Sequence, residues 1–220
     1  MKDDIIPDEA DATTPIVLNN MGENITHKYH IDNQGVLYLT ANQLHHDSQL
    51  LAKQVLNYCK EKEVKLDTVI GVCRGGSQPA NIVHEFLKRS GMETEYVAIQ
   101  TKLYEDEIDQ IKKDVEVYGM DRIKKLPNKH KLLIVDDVWD KGKTIEEIKK
   151  QIAELPNKDF EILVAVPYFK PEKNKVDDAP EFYVVTYNDW INFPHELMGL
   201  SKKQIKENLP DAYDLLYKKE

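Results

Sequence analysis

A chain of 220 residues, 41% hydrophobic and 31% charged, has room for one domain with a sizeable core and modest extensions. Its formal net charge of −9 argues against a general nucleic-acid or anionic-membrane binder, so an anionic ligand must be captured by local donors and metal rather than a global field. No apolar segment approaches the roughly 18 residues of a membrane span, and the cysteines Cys59 and Cys73 lack metal-ligand or redox spacing and suit a reduced cytosol.

Residues 1–26 are polar, acidic and without period, which reads as a flexible arm; the N-terminus lacks the apolar core of a signal peptide. Tyr29 to Leu39 alternates around Asn33-Gln34-Gly35, the pattern of a small hairpin. From Thr40 to Glu63, Leu44, Leu50, Leu51, Val55 and Leu56 form one apolar stripe and predict a helix. His45 and His46 are adjacent on it, face different directions, and read as solvated surface rather than a shared metal site.

Thr68 to Val72 is a buried strand, with Cys73 a small buried residue at its end. Arg74-Gly75-Gly76 follows, and then a helix through Ile82, Val83, Phe86 and Leu87 to Gly91. Arg74 offers a fixed fork to phosphate oxygens, and the glycine pair lets backbone amides approach closely. Alone, this is an ordinary strand-to-helix turn. Thr94 to Ile99 predicts a third strand. Thr101 to His130 is long, densely charged and loosely periodic, the habit of a lid or binding loop. Lys102, Tyr104 and Arg122 are its possible contacts, while Ile108, Ile111 and Val115 equally fit a solvated helical insertion.

Leu132-Leu133-Ile134-Val135 is an unbroken apolar run, expected of a central parallel strand buried on both faces. It ends in Asp136 and Asp137, with Asp140 one short turn later, then Lys141, Gly142, Lys143 and Thr144. Ile145, Ile148, Ile152 and Leu155 recur at helical spacing until Pro156. The polar groups therefore lie at the carboxyl end of a strand, where open α/β sheets bind ligands. Amides around Gly142 and the helix start make a donor-rich cup for phosphate, helped by Lys141, Lys143 and the Thr144 hydroxyl. Paired carboxylates would repel bare phosphate and suit hydroxyls or a divalent cation. A phosphorylated sugar satisfies both halves. A nucleotide-hydrolase phosphate loop needs a glycine five places before Gly142, where this chain has Asp137.

Ile162 to Val166 and Phe182 to Val185 are further strands. The first leads to Lys170-Pro171, the second to Asn188-Asp189-Trp190-Ile191-Asn192-Phe193-Pro194-His195-Glu196. A lysine just past one strand, with a tryptophan returning over the same edge, can make a base pocket, the ammonium donating to an exocyclic oxygen and the indole stacking on the ring; alone, the two residues fit a surface lysine and a core tryptophan better. Ser201 to Glu220 predicts one or two short helices, with Ser201 as N-cap and Pro210 restarting a turn.

Leu-Ile-Val-Asp136-Asp137-Val138-Trp139-Asp140-Lys141-Gly142-Lys143-Thr144 resembles the phosphoribosyl-diphosphate signature of type I phosphoribosyltransferases, and Arg74-Gly75-Gly76, one strand earlier, resembles their pyrophosphate loop. Lys141 stands where the family usually has Thr or Ser, exchanging a hydroxyl contact to the 5-phosphate for charge. Lys170-Pro171 and Trp190-Ile191 are similar to the xanthine-guanine and hypoxanthine members. The resemblance spans about Val69 to Glu196. It implies an α/β fold with a central parallel sheet flanked by helices and a small C-terminal hood, divided into an arm (1–26), a core (27–189) and a base-binding hood with C-terminal helices (190–220). It implies ribose and phosphate contacts from Arg74, Gly75, Gly76 and Asp136 through Thr144, with Asp137 towards Mg²⁺ and Asp140 as catalytic base. Lys170 would read a 6-oxo group, Trp190 would stack on the purine, and Ile191 would meet the ring through its backbone. The implied partners are phosphoribosyl diphosphate and a purine base, in a cytoplasmic homodimer or homotetramer touching neither nucleic acid nor membrane. A non-catalytic sensor of phosphoribosyl diphosphate, or a transferase for another nucleobase, is the alternative.

Overall fold

The computed structural model describes residues 28–103 and 115–218. The N-terminal arm and the lid residues Tyr104, Ile108 and Ile111 lie outside the described residues. In chain order the elements are β1 (His30–Ile31), β2 (Leu37–Tyr38), α1 (Ala41–Glu61), β3 (Thr68–Cys73), α2 (Ser77–Arg89), β4 (Glu95–Leu103), β5 (Val115–Tyr118) and α3 (Met120–Lys124). There follow β6 (Lys131–Val135), β7 (Val138–Trp139), α4 (Lys143–Ala153), β8 (Glu161–Phe169), β9 (Phe182–Thr186), β10 (Ile191–Asn192), α5 (Lys202–Asn208) and α6 (Pro210–Tyr217).

Strands β4, β3, β6, β8 and β9 pair in parallel, in that order, and β5 closes one edge antiparallel to β4. The apolar run of β6 sits at the centre, with Leu132, Leu133, Ile134 and Val135 fully buried. One cluster joins Leu133 and Val135 to α1 and α2 through Leu51, Val55, Val83 and Leu87; the other joins Leu132 and Ile134 to α4 through Ile145, Ile148 and Ile152. Alternate side chains of one strand thus feed opposite faces, which is why Leu132 to Val135 has no polar position. The fold is the α/β type expected, a mostly parallel sheet flanked by helices.

Thr40 starts α1 through a capping box: its hydroxyl accepts the Gln43 N–H at 3.2 Å, and the Gln43 side chain accepts the Thr40 N–H at 2.8 Å. Ser201 caps α5 in the same way, and Pro210 opens α6. Four expectations are corrected. Val115 lies in β5, so the helical alternative fails there: its backbone is used to pair Leu103. Cys73 is half-buried, because the sheet opens into a cleft at that point. His45 is exposed as expected, but His46 is half-buried with Nδ1 3.9 Å from Asp47. The strand begun at Glu161 continues through Pro167 to Phe169, so Lys170 sits directly at its end.

A second sheet has three strands: β2 pairs β1 antiparallel and β10 parallel, so it joins the segment before α1 to the segment expected to form the hood. Trp190 C=O accepts from Leu37 N–H at 2.9 Å and Asn192 C=O from Leu39 N–H at 3.0 Å. Among the described residues no helix is long and apolar enough to cross a membrane.

Candidate active site

Two strand-to-helix turns meet at the carboxyl edge of the sheet because β3 and β6 are parallel neighbours. In the first, the Cys73–Arg74 peptide is cis, and Arg74 C=O accepts from the Ser77 N–H (3.1 Å) and hydroxyl (2.7 Å). A Cβ on Gly76 would lie 2.6 Å from Val72 O and 2.7 Å from Asp136 Cα, and one on Gly75 would lie 2.6 Å from Asp137 Cγ. At Gly76 only a glycine lets the two turns close on one another, whereas at Gly75 the obstacle is the Asp137 side chain alone.

In the second turn the ladder is interrupted at Asp136-Asp137 and resumes as β7, whose Val138 and Trp139 pair with Tyr168 and Phe169. Asp136 accepts the Asp137 N–H at 2.9 Å. Burial, then the charge of Asp137, pushes the Asp136 carboxyl well above its ordinary value. Burial pushes Asp137 up to about 6, His195 opposing and Glu196 adding to the rise. Nε2 of His195 lies 4.0 Å from Asp137 Oδ2. Gly142 precedes α4 with φ +79°, a conformation glycine adopts without strain. Lys141 and Lys143 are exposed and Thr144 is half-buried.

A cleft of about 1150 Å³ runs between the turns and the hood. Arg74, Gly75, Asp136, Asp137, Thr144 and Trp190 line it, so residues 116 positions apart share one cavity. Lys170, at the end of β8, is buried; desolvation lowers its pKa while Asp140 opposes the shift. Its Nζ lies 4.0 Å from Asp140 Oδ2 and 5.8 Å from the centre of the Trp190 ring. Trp190 itself is 63% exposed.

One expected site residue turns its side chain elsewhere. The Trp139 indole is buried in the core, edge-on to Phe169, and donates to Asn174 Oδ1 at 3.1 Å. The Ile191 side chain is also in the core, and the contact expected of that residue is through its backbone. Val138 is half-buried and packs on the same α1-side cluster. The possible lid contacts Lys102 and Arg122 are exposed.

Sequence reasoning assigned no role to His195, Glu196, Tyr38 or Asn192, all of which line the cleft. The polar pair after Phe193-Pro194 was a usable signal for the first two. None exists for Tyr38, which reaches the cleft only because β2 pairs with β10.

Among the described residues no group of three or more His, Cys, Asp or Glu side chains is placed to hold a metal. Mg²⁺, however, commonly takes one or two carboxylates and completes its octahedron with water and substrate phosphate. Two half-buried carboxylates whose pKa values are both raised fit such a cation, whose charge would relieve their repulsion.

The phosphoribosyl transferase domain family matches residues 39–198. The chain is similar to the xanthine-guanine phosphoribosyltransferase of Roseobacter denitrificans, 29% identical over 163 residues covering 73% of this chain and 85% of that protein. It is similar also to xanthine phosphoribosyltransferase 1 of Saccharomyces cerevisiae, 32% identical over 136 residues, 54% of this chain and 62% of that one. Among solved structures, the purine phosphoribosyltransferase of Pyrococcus horikoshii superposes with a TM-score of 0.58 at 28% identity, covering 76% of this chain and 97% of that chain.

Proposed function

The chain belongs to the phosphoribosyl transferase family, and from that membership we propose that it transfers the 5-phosphoribosyl group of phosphoribosyl diphosphate to a 6-oxopurine, releasing pyrophosphate and a nucleoside monophosphate. The observation that carries the purine assignment is the buried Lys170 ammonium held between Asp140 and the Trp190 ring. An ammonium only donates, so it favours an oxo substituent over the amino group of adenine. The names of the relatives, xanthine-guanine, xanthine and purine phosphoribosyltransferases, support the same class.

Loss of pyrophosphate from the anomeric carbon builds positive charge on the ribose ring. Asp136 and Asp137 hold the ribose hydroxyls and face that charge, the electrostatic contribution that usually dominates such catalysis. Arg74 and the amides of Gly75 and Gly76 receive the leaving diphosphate. The amides around Gly142, with Lys141, Lys143 and Thr144, hold the 5-phosphate. Mg²⁺, reached through Asp137, supplies further neutralisation of the diphosphate when bound. As the purine nitrogen bonds to the anomeric carbon, the proton it sheds passes to Asp140.

Incubation with phosphoribosyl diphosphate, Mg²⁺ and a panel of guanine, xanthine, hypoxanthine, adenine and pyrimidine bases tests the assignment. Product with the 6-oxopurines alone is expected. Product with adenine or a pyrimidine overturns the base assignment, and no product with any base favours a non-catalytic sensor of phosphoribosyl diphosphate.

A further inference from the structure

The loop between β8 and β9 does more than present Lys170. It runs back along the carboxylate-and-lysine turn and fastens to it at successive points. Lys170 N–H donates to Trp139 C=O at 2.9 Å and Lys175 N–H to Lys141 C=O at 3.1 Å. Between them the Trp139 indole N–H donates to Asn174 Oδ1 at 3.1 Å. The Asn174 amide nitrogen in turn donates to the carbonyls of Val176 (3.2 Å) and Asp178 (2.7 Å). Asp178 is tied to α4, the helix behind the cup, by Lys149 at 2.7 Å. The fit is tight: a Cβ on Gly142 would lie 2.5 Å from Val176 Cγ2, 2.8 Å from the Trp139 indole nitrogen and 2.9 Å from Asn174 Oδ1.

We propose that Asn174 is a positioning residue for the phosphoribosyl site, and that its hydrogen bond to the Trp139 indole clasps the Asp136–Thr144 turn in its binding shape. The inference rests on the reading that this turn holds the ribose 5-phosphate. Its physical basis is preorganisation. The cup binds through backbone amides, and amides aimed in advance spare the ligand the cost of ordering them. Gly142, with φ +79°, has no side chain to hold it, so the restraint must come from outside the turn. Asn174 supplies it with all its polar groups engaged: one oxygen accepting and one NH₂ donating twice. Trp139 is the matching half, which explains an indole pointing into the core from a turn otherwise devoted to ligand.

The test measures the dissociation constant of phosphoribosyl diphosphate by calorimetry in the presence of Mg²⁺, with thermal midpoints in parallel, for the wild type, Asn174→Ala, Trp139→Phe and the double variant. Affinity should fall roughly three- to tenfold in Trp139→Phe, the worth of one hydrogen bond, and at least as far in Asn174→Ala, which also loses the bonds to Val176 and Asp178. The double variant should be no weaker than the weaker single, because both changes remove the same bond. A lowered midpoint with unchanged affinity in both single variants would mean an ordinary structural contact and overturn the clasp, as would additive losses. Wild-type protein that binds no phosphoribosyl diphosphate overturns the phosphate-cup reading itself, a result distinct from unchanged affinity in the variants.

Discussion

The Lys170 ammonium lies 4.0 Å from Oδ2 of Asp140, joining the end of one strand to the turn after its neighbour. A group that would read the base thus sits beside the group that would take its proton, and the Asp140 charge opposes the fall that burial imposes on the lysine pKa. Replacing Asp140 by Asn keeps the shape and removes the base. Turnover should fall about 10²- to 10⁴-fold with the KM for phosphoribosyl diphosphate unchanged. Unaltered steady-state rates would remove Asp140 from the chemistry.

Lys170→Met keeps most of the unbranched stem, one atom shorter, and deletes its donor. Discrimination between 6-oxo and 6-amino purines should collapse, read as the ratio of kcat/KM for hypoxanthine and adenine. A variant that preserves the wild-type ratio would place base recognition elsewhere.

Gly75 and Gly76 separate two consequences of crowding. A Cβ at Gly76 meets backbone on both sides, Val72 O and Asp136 Cα, so Gly76→Ala should lose about 1–3 kcal/mol of stability. A Cβ at Gly75 meets only the Asp137 carboxylate, which can swing away. Gly75→Ala should therefore keep its unfolding midpoint in urea and lose affinity for phosphoribosyl diphosphate. Equal stability losses in the two variants would contradict this division.

Asp136 and Asp137 predict an unusual sign of pH dependence. Burial raises both carboxyls, Asp137 to about 6, so between about pH 4 and 6 the folded chain binds more protons than the unfolded one. The contribution of Asp137 to stability is fully present below the unfolded value and is lost as pH rises through about 6; that of Asp136, raised in the same direction, has the same sign. Without divalent cations, wild-type thermal stability should decline between pH 5 and 7 more steeply than that of Asp137→Asn. Identical slopes would mean that Asp137 titrates normally.

Asp47, fully buried on α1, accepts the hydroxyls of Tyr29 (2.9 Å) and Tyr168 (2.6 Å). Desolvation, followed by that carboxylate, raises both phenols, fixing them as donors. Asp47→Ala strands two hydroxyls in the core and should cost about 2–4 kcal/mol in chemical denaturation. A loss under 1 kcal/mol would mean that water or repacking satisfies them.

The elements nearest the sheet were legible in the chain itself. Leu132 to Val135 is apolar at every position because β6 is covered on both faces, and Thr40 and Ser201 announce their helices through short-range capping. The acidic turn with Gly142 was equally legible, since neighbouring residues carry all its chemistry. What the sequence could not express was which distant side chains share space. The parallel pairing of β3 with β6 brings Arg74 and Asp137 into one cleft, and the pairing of β2 with β10 carries Tyr38 there from outside the family match. Tertiary packing alone sent the Trp139 indole inward to Asn174 rather than outward to a ligand. The physical reason is range: periodicity and capping are set within a few residues, whereas a cleft is made by contacts between segments whose spacing along the chain carries no signal.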